Sequence, residues 1–290
     1  MSAPKVYFEN SNNIFHCLSD VVDLLLEYGV CVVRGVDVDR DTQGALMRSV
    51  GDILGWYPNS DSGSINLYLE NHEFTIKQKT IQFNDDVSKI NYKDEVLVSW
   101  HMEHIGFLNP AVGAIWNMKK FLCDSECGKT LFFDGTQIKQ LINQKEFEFL
   151  EKCKFLVDFN DNNQEYEKFG VLPEGVVCVP AVKLHKYSGK QIVNIPPSLG
   201  QNSKLVSFDD IEPTRENIME FNSLVLKISR LIMHSEKNRI THRWKQNDLV
   251  IADLSRMYHA VTGGFSVDER FFEGMWAYGN PGTKISITNV

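Results

Sequence analysis

The chain has 290 residues, 43% hydrophobic and 23% charged, proportions that supply a core of good size and exclude a disordered polypeptide. Its formal net charge of −8 gives no general electrostatic support to a nucleic-acid or anionic-membrane partner. A small anionic ligand is still compatible with that sign, because one pocket arginine can act against the overall charge.

The first ten residues contain no apolar segment of signal-peptide length, and no run approaches the roughly 18 apolar residues of a membrane span. The six cysteines include one close pair, Cys123 and Cys127, without the second pair that a metal knuckle needs. Reduced structural thiols and a cytoplasmic protein are the expectation.

Leu18 to Tyr28 has helical apolar spacing, and Gly29 is placed to end it. Val30 to Val36 reads as a buried strand, and Asp41 as the cap of a second helix through Leu54. Residues 57–95 are polar and aperiodic, the composition of an active-site lid. Strand-like runs follow at Val96–Trp100, Val112–Met118 and Thr130–Phe133, then a helical pattern over Thr136–Glu151. Lys154–Phe159, Val176–Leu184 and Gln191–Ile195 return to strands, and Asn217–His234 is the longest helical pattern. Arg239–Trp244, Asp248–Asp253 and Phe271–Tyr278 close the chain as strands. Many short strands with few helices predict a mainly β, α+β fold, a double-stranded β-helix or jelly roll with helical cover. No repeat or linker divides it, so residues 1–290 are expected to form one domain.

The chemistry concentrates in two places. His101 and Glu103 are two residues apart at the end of a strand-like run, so both side chains leave one face. His259 follows a second such run, and two histidines with one carboxylate form the ligand set of non-haem Fe(II) oxygenases. Arg270, after ten intervening residues, offers the planar fork that a distal carboxylate of a 2-oxo acid requires. Thr130 can add a hydroxyl to the same carboxylate. Taken singly, each residue is better read as structural; the signal is their order along the chain. His185 is read as a strand residue.

That order resembles the taurine dioxygenase-like family of Fe(II)/2-oxoglutarate oxygenases, from about Leu24 to Tyr278. The resemblance takes in Glu27-Tyr28-Gly29-Val30-Cys31-Val32-Val33-Arg34-Gly35 and the Trp244–Asp253 run. It implies that His101, Glu103 and His259 bind iron and act catalytically, that Thr130 and Arg270 hold 2-oxoglutarate, and that O2 is consumed. Glu103 stands where most of the family has Asp, as in the clavaminate synthase and arginine-hydroxylase branch, which acts on amino acids and their derivatives. Gly274 stands where sulfonate-oxidising members carry a second arginine, which argues against taurine. The carboxylate at 103 also argues against halogenation. The expected activity is hydroxylation or desaturation of a small molecule, an amino acid or a metabolite derived from one, by a chain able to form a homo-oligomer. The rival readings are oxidative scavenging of a small sulfonate or organic acid, and a non-catalytic jelly-roll binding protein.

Overall fold

Alternation of side chains along short strands builds two facing sheets, the core of a jelly roll. The structure is a computed structural model and describes residues 5–7, 14–54, 56, 67–71, 96–103, 105, 111–158, 178–185, 187–195, 202–265 and 269–278. The larger sheet has the order β1 (Lys5–Tyr7), β2 (Val30–Arg34), β13 (Leu249–Ala252), β5 (Ala111–Phe121), β15 (Arg270–Tyr278) and β3 (Leu67–Asn71). Only its β1–β2 pair is parallel among the described residues. The smaller sheet is antiparallel, in the order β12 (Arg239–His242), β6 (Thr130–Asp134), β14 (Met257–Thr262) and β4 (Val96–His101).

Successive residues face opposite ways, and each set has its own apolar partner. In the larger sheet, Cys31, Val33, Ile115, Leu249, Ile251 and Met275 pack beneath helices α1 (Leu18–Tyr28) and α2 (Arg40–Leu54). The alternate residues Val32, Trp116, Met118, Val250, Phe272 and Trp276 face inward to Phe132, Ile240 and Trp244. Behind the smaller sheet, Leu131, Phe133, Tyr258 and Ala260 join a third cluster with Phe155, Leu205, Phe221 and Ile228. Those partners come from the sheet β11 (Asn202–Phe208), β7 (Cys153–Asp158) and β8 (Val179–Pro180), and from a long helix, Arg215–His234. A hairpin of β9 (Val182–Leu184) and β10 (Gln191–Val193) completes this layer.

Local chemistry sets the element ends. Gly29 closes α1 at φ 74°, a left-handed conformation in which its N–H reaches Leu25 O at 2.8 Å. Asp39, rather than Asp41, caps α2, its Oδ1 accepting from Thr42 N at 2.8 Å. The helical pattern over 136–151 is broken in two, α3 (Ile138–Leu141) and α4 (Gln144–Glu151). Asn143 and Glu146 form a capping box that restarts the chain. The Arg215–His234 helix, α5, starts from a second capping box at Thr214 and Asn217.

Val176–Leu184 is interrupted at Ala181, which separates β8 from β9, and β11 carries no strand signal strong enough to predict. Of the lid expected over 57–95, only Leu67–Asn71 is described, as the strand β3 paired to β15; the rest lies outside the described residues. Burial pushes the thiols of Cys31 and Cys153 up to about 12, so both stay protonated inside the core. All six cysteines are free. Among the described residues no helix is long and apolar enough to cross a membrane.

Candidate metal and 2-oxo acid site

The register of the smaller sheet brings the two halves of the motif together. His101 ends β4 directly opposite His259 on β14, and their ring centroids are 4.1 Å apart. A register shift follows between His259 and Val261, a bulge of the kind that re-aims a side chain beside a site. Glu103 lies just past the end of β4 in a turn, not on the strand itself. Its Oε2 lies 3.4 Å from His101 Nε2 and 3.4 Å from His259 Nε2. One ligand atom from each of the three lies within 4.8 Å of the others.

Three donors so placed fit one ion. Bonds of about 2.1 Å at right angles put neighbouring ligand atoms roughly 3 Å apart, a small contraction from the observed spacing. Two imidazoles and one carboxylate would hold such an ion on one side and would leave its other positions to exchangeable ligands.

A second cluster forms around Arg270, the first residue of β15. Its side chain is buried, 2% exposed, with Trp244, Phe265 and Phe272 rings 5.1–5.6 Å from the guanidinium carbon. Among the described residues no carboxylate pairs with it, and Nε has no hydrogen-bond partner. Burial lowers its pKa to about 10, so it remains a cation at neutral pH. A buried cation with no carboxylate partner among the described residues, walled by aromatic rings, has the chemistry to receive an anion. Gly128 makes this approach feasible: it sits at φ 58°, and a Cβ there would lie 3.2 Å from Arg270 Cδ.

Trp244 connects the two predicted carboxylate contacts. Its Nε1–H donates to Thr130 Oγ1 at 2.9 Å, and its ring stacks on Phe272 at 6.0 Å and 12°. With an acceptor lone pair of Thr130 occupied, the hydroxyl hydrogen is left to donate elsewhere. Thr130 and Phe132 share one face of β6, and Phe132 pairs in register with His259. One face of β6 therefore carries both Phe132, beside His259, and Thr130, beside Trp244.

The structure thus brings His101, Glu103 and His259 together, and places Thr130 and Arg270 on either side of Trp244. Spacing along the chain assigned no role to Trp244, Phe265 or Trp116; Trp244 and Trp116 meet partners distant in sequence, Thr130 and His259. His185 lies outside this site: Nε2 is 2.8 Å from Asp253 Oδ2 and Nδ1 is 2.7 Å from Ser188 Oγ, pinning the β9–β10 turn to the end of β13. His104 lies outside the described residues.

Comparison with known proteins agrees with this architecture. A sequence profile of the family described as Taurine catabolism dioxygenase TauD, TfdA family matches residues 10–276. A crystal structure of a taurine dioxygenase from Burkholderia xenovorans superposes with a TM-score of 0.64 at 13% identity, covering 96% of this chain and 89% of that one. The structure of AAD-2 in complex with Mn(II) and N-oxalylglycine superposes with a TM-score of 0.63 at 12% identity, covering 96% and 95%. At these identities the superpositions establish the shared fold. No curated protein sequence matches this chain.

Proposed function

The chain belongs to the taurine catabolism dioxygenase TauD, TfdA family, and from that premise we propose a site assignment and a substrate class for it. It is an Fe(II)- and 2-oxoglutarate-dependent dioxygenase that consumes O2 and acts on a small molecule. In our reading His101, Glu103 and His259 hold the iron, while Thr130 and Arg270 hold the distal carboxylate of 2-oxoglutarate. The substrate is an amino acid or an amino-acid-derived metabolite, which is hydroxylated or desaturated. The observation that carries the assignment is Glu103 Oε2, 3.4 Å from both histidine Nε2 atoms.

Bound iron supplies the redox chemistry that couples O2 to decarboxylation of the 2-oxo acid. The remaining work falls to the chain. Glu103 would balance part of the metal's charge, and the buried side chains of Trp116, Phe132 and Trp276 would keep bulk water from the side of His259 that they cover. Arg270 fixes the far end of the oxo acid, so its reactive end is presented in one orientation. Two features support an amino-acid-like substrate: the longer carboxylate at 103, and Gly274 in β15, where a second arginine would favour a sulfonate. Gly274 pairs in register with Trp116 at the inner sheet. Residues 1–290 are treated as one catalytic domain, residues 57–95 as its lid, and the cytoplasm as its location.

The test is succinate release from 2-oxoglutarate across a panel of amino acids, sulfonates and small organic acids. Stimulation by amino acids is expected. Stimulation by sulfonates alone would replace the substrate class while leaving the site intact. Full turnover by His101→Ala or Glu103→Ala would remove the metal assignment.

A further inference from the structure

Trp116 is a buried donor with nothing to donate to. Its side chain lies inside the jelly roll, 5% exposed, and its Nε1 has no hydrogen-bond partner among the described residues. Its ring centroid is 5.7 Å from that of His259, 6.3 Å from Phe132 and 6.5 Å from Trp276. Buried polar groups in folded proteins are nearly always paired, and indole N–H groups usually find an acceptor. Of these three rings only the imidazole of His259 has an atom able to accept, and no hydrogen bond joins it to the indole. A ligand entering between the sheets would supply the acceptor that the indole lacks.

Position decides which ligand. The indole lies against His259, and Phe132, its other neighbour, shares a face of β6 with Thr130. The indole thus lies beside His259, with Phe132 between it and the strand that carries Thr130. Resting on the site assignment above, we propose that Trp116 Nε1–H donates to the metal-proximal carboxylate of the 2-oxo acid. A carboxylate is the acceptor that gains most from a buried donor. Trp116 is then a co-substrate-binding residue on the larger sheet, facing the metal ligands of the smaller one.

Trp56 provides a matched control. Its Nε1 also lacks a partner among the described residues, but its ring packs in the separate cluster beneath α1 and α2.

The decisive measurement uses full-length protein loaded with Zn(II), which is diamagnetic, and labelled with 15N. The five tryptophans give five indole N–H resonances, assigned by triple-resonance spectra. Addition of 2-oxoglutarate should move the Trp116 resonance downfield, in the direction of a new hydrogen bond, and leave Trp56 in place. By calorimetry, Trp116→Phe should bind 2-oxoglutarate about tenfold more weakly with unchanged Zn(II) affinity, and Trp56→Phe should match the wild type. If 2-oxoglutarate binds while the Trp116 resonance stays fixed, or if Trp116→Phe binds it as tightly, the proposal is overturned. Should Trp116→Phe fail to fold, the wild-type spectrum decides alone. Failure of the wild type to bind 2-oxoglutarate at all would overturn both this proposal and the site assignment. Loss confined to the Trp116 readout leaves the assignment standing.

Discussion

Trp244 donates its indole N–H to Thr130 Oγ1 across 2.9 Å, and the same ring lies 5.6 Å from the guanidinium of Arg270. One side chain therefore positions both of the groups assigned to the distal carboxylate. Trp244→Phe keeps an aromatic wall but frees Thr130 to rotate. The expected outcome is a three- to tenfold rise in the KM for 2-oxoglutarate with little change in kcat, since about 1 kcal/mol of binding is lost. Steady-state kinetics with varied 2-oxoglutarate checks it; a fall in kcat alone would assign Trp244 to a different step.

Arg270 should cost the empty protein stability. Its pKa is lowered by burial to about 10, so the charged form is disfavoured by the fold. The penalty is complete below about pH 10 and is relieved only as pH rises from there towards the ordinary guanidinium value. Arg270→Leu is therefore expected to melt no lower than the wild type in the absence of 2-oxoglutarate, yet to lose the stabilisation that 2-oxoglutarate confers. Wild-type affinity for 2-oxoglutarate should hold through neutral pH and fall as pH passes about 10. Thermal melts with and without 2-oxoglutarate, and calorimetry across alkaline pH, measure both.

Glu103 stands between two imidazoles, so its removal should be felt first in metal binding. Glu103→Ala is expected to weaken Mn(II) or Fe(II) affinity by at least 100-fold, about 2.7 kcal/mol or more, and to abolish succinate formation. Glu103→Asp tests reach: the shorter side chain, starting from the turn after β4, should restore part of the affinity. Metal titration under anaerobic conditions distinguishes these outcomes, and tight binding by Glu103→Ala would sink the assignment.

A fourth expectation concerns the scaffold. Arg256 is fully buried; it pairs with Asp134 at 2.9 Å and donates to Leu26 O and Glu27 O at 3.0 Å each. It ties the C-terminal end of α1 to the end of β6, and a cation there also suits the helix dipole. Arg256→Met leaves the Asp134 charge in the core without its partner, so a loss of about 3–5 kcal/mol is expected in urea unfolding. Adding Asp134→Asn should recover part of that loss.

The outline of the proposed site was legible because His101 and Glu103 lie two residues apart where β4 ends, and Arg270 opens β15 at a fixed distance after His259, so short-range spacing carries much of the information. His101, Glu103, His259 and Arg270 keep fixed separations that survive without knowledge of pairing. The layers were harder to read. β6 is buried at every position and β13 likewise, so neither shows the alternation that reveals a one-sided strand. The break at Ile142–Asn143 was invisible to helical periodicity, because a capping box depends on particular polar side chains rather than on apolar spacing. Trp116 and Trp244 were unreadable for a different reason. Each takes its role from a partner on another strand, and pairing register is a property of the folded sheet.

The cross-strand pairing of His101 with His259 carries one more consequence. These two histidines lie far apart along the chain, and the strands that bear them meet at the edge of the smaller sheet. An ion gripped by both closes a very large loop, as a covalent tie would, and removes from the unfolded chain much of the freedom that it would otherwise regain. On the proposed ligand set iron would be a fastener as well as a reagent, and chelation should speed the parting of β4 from β14.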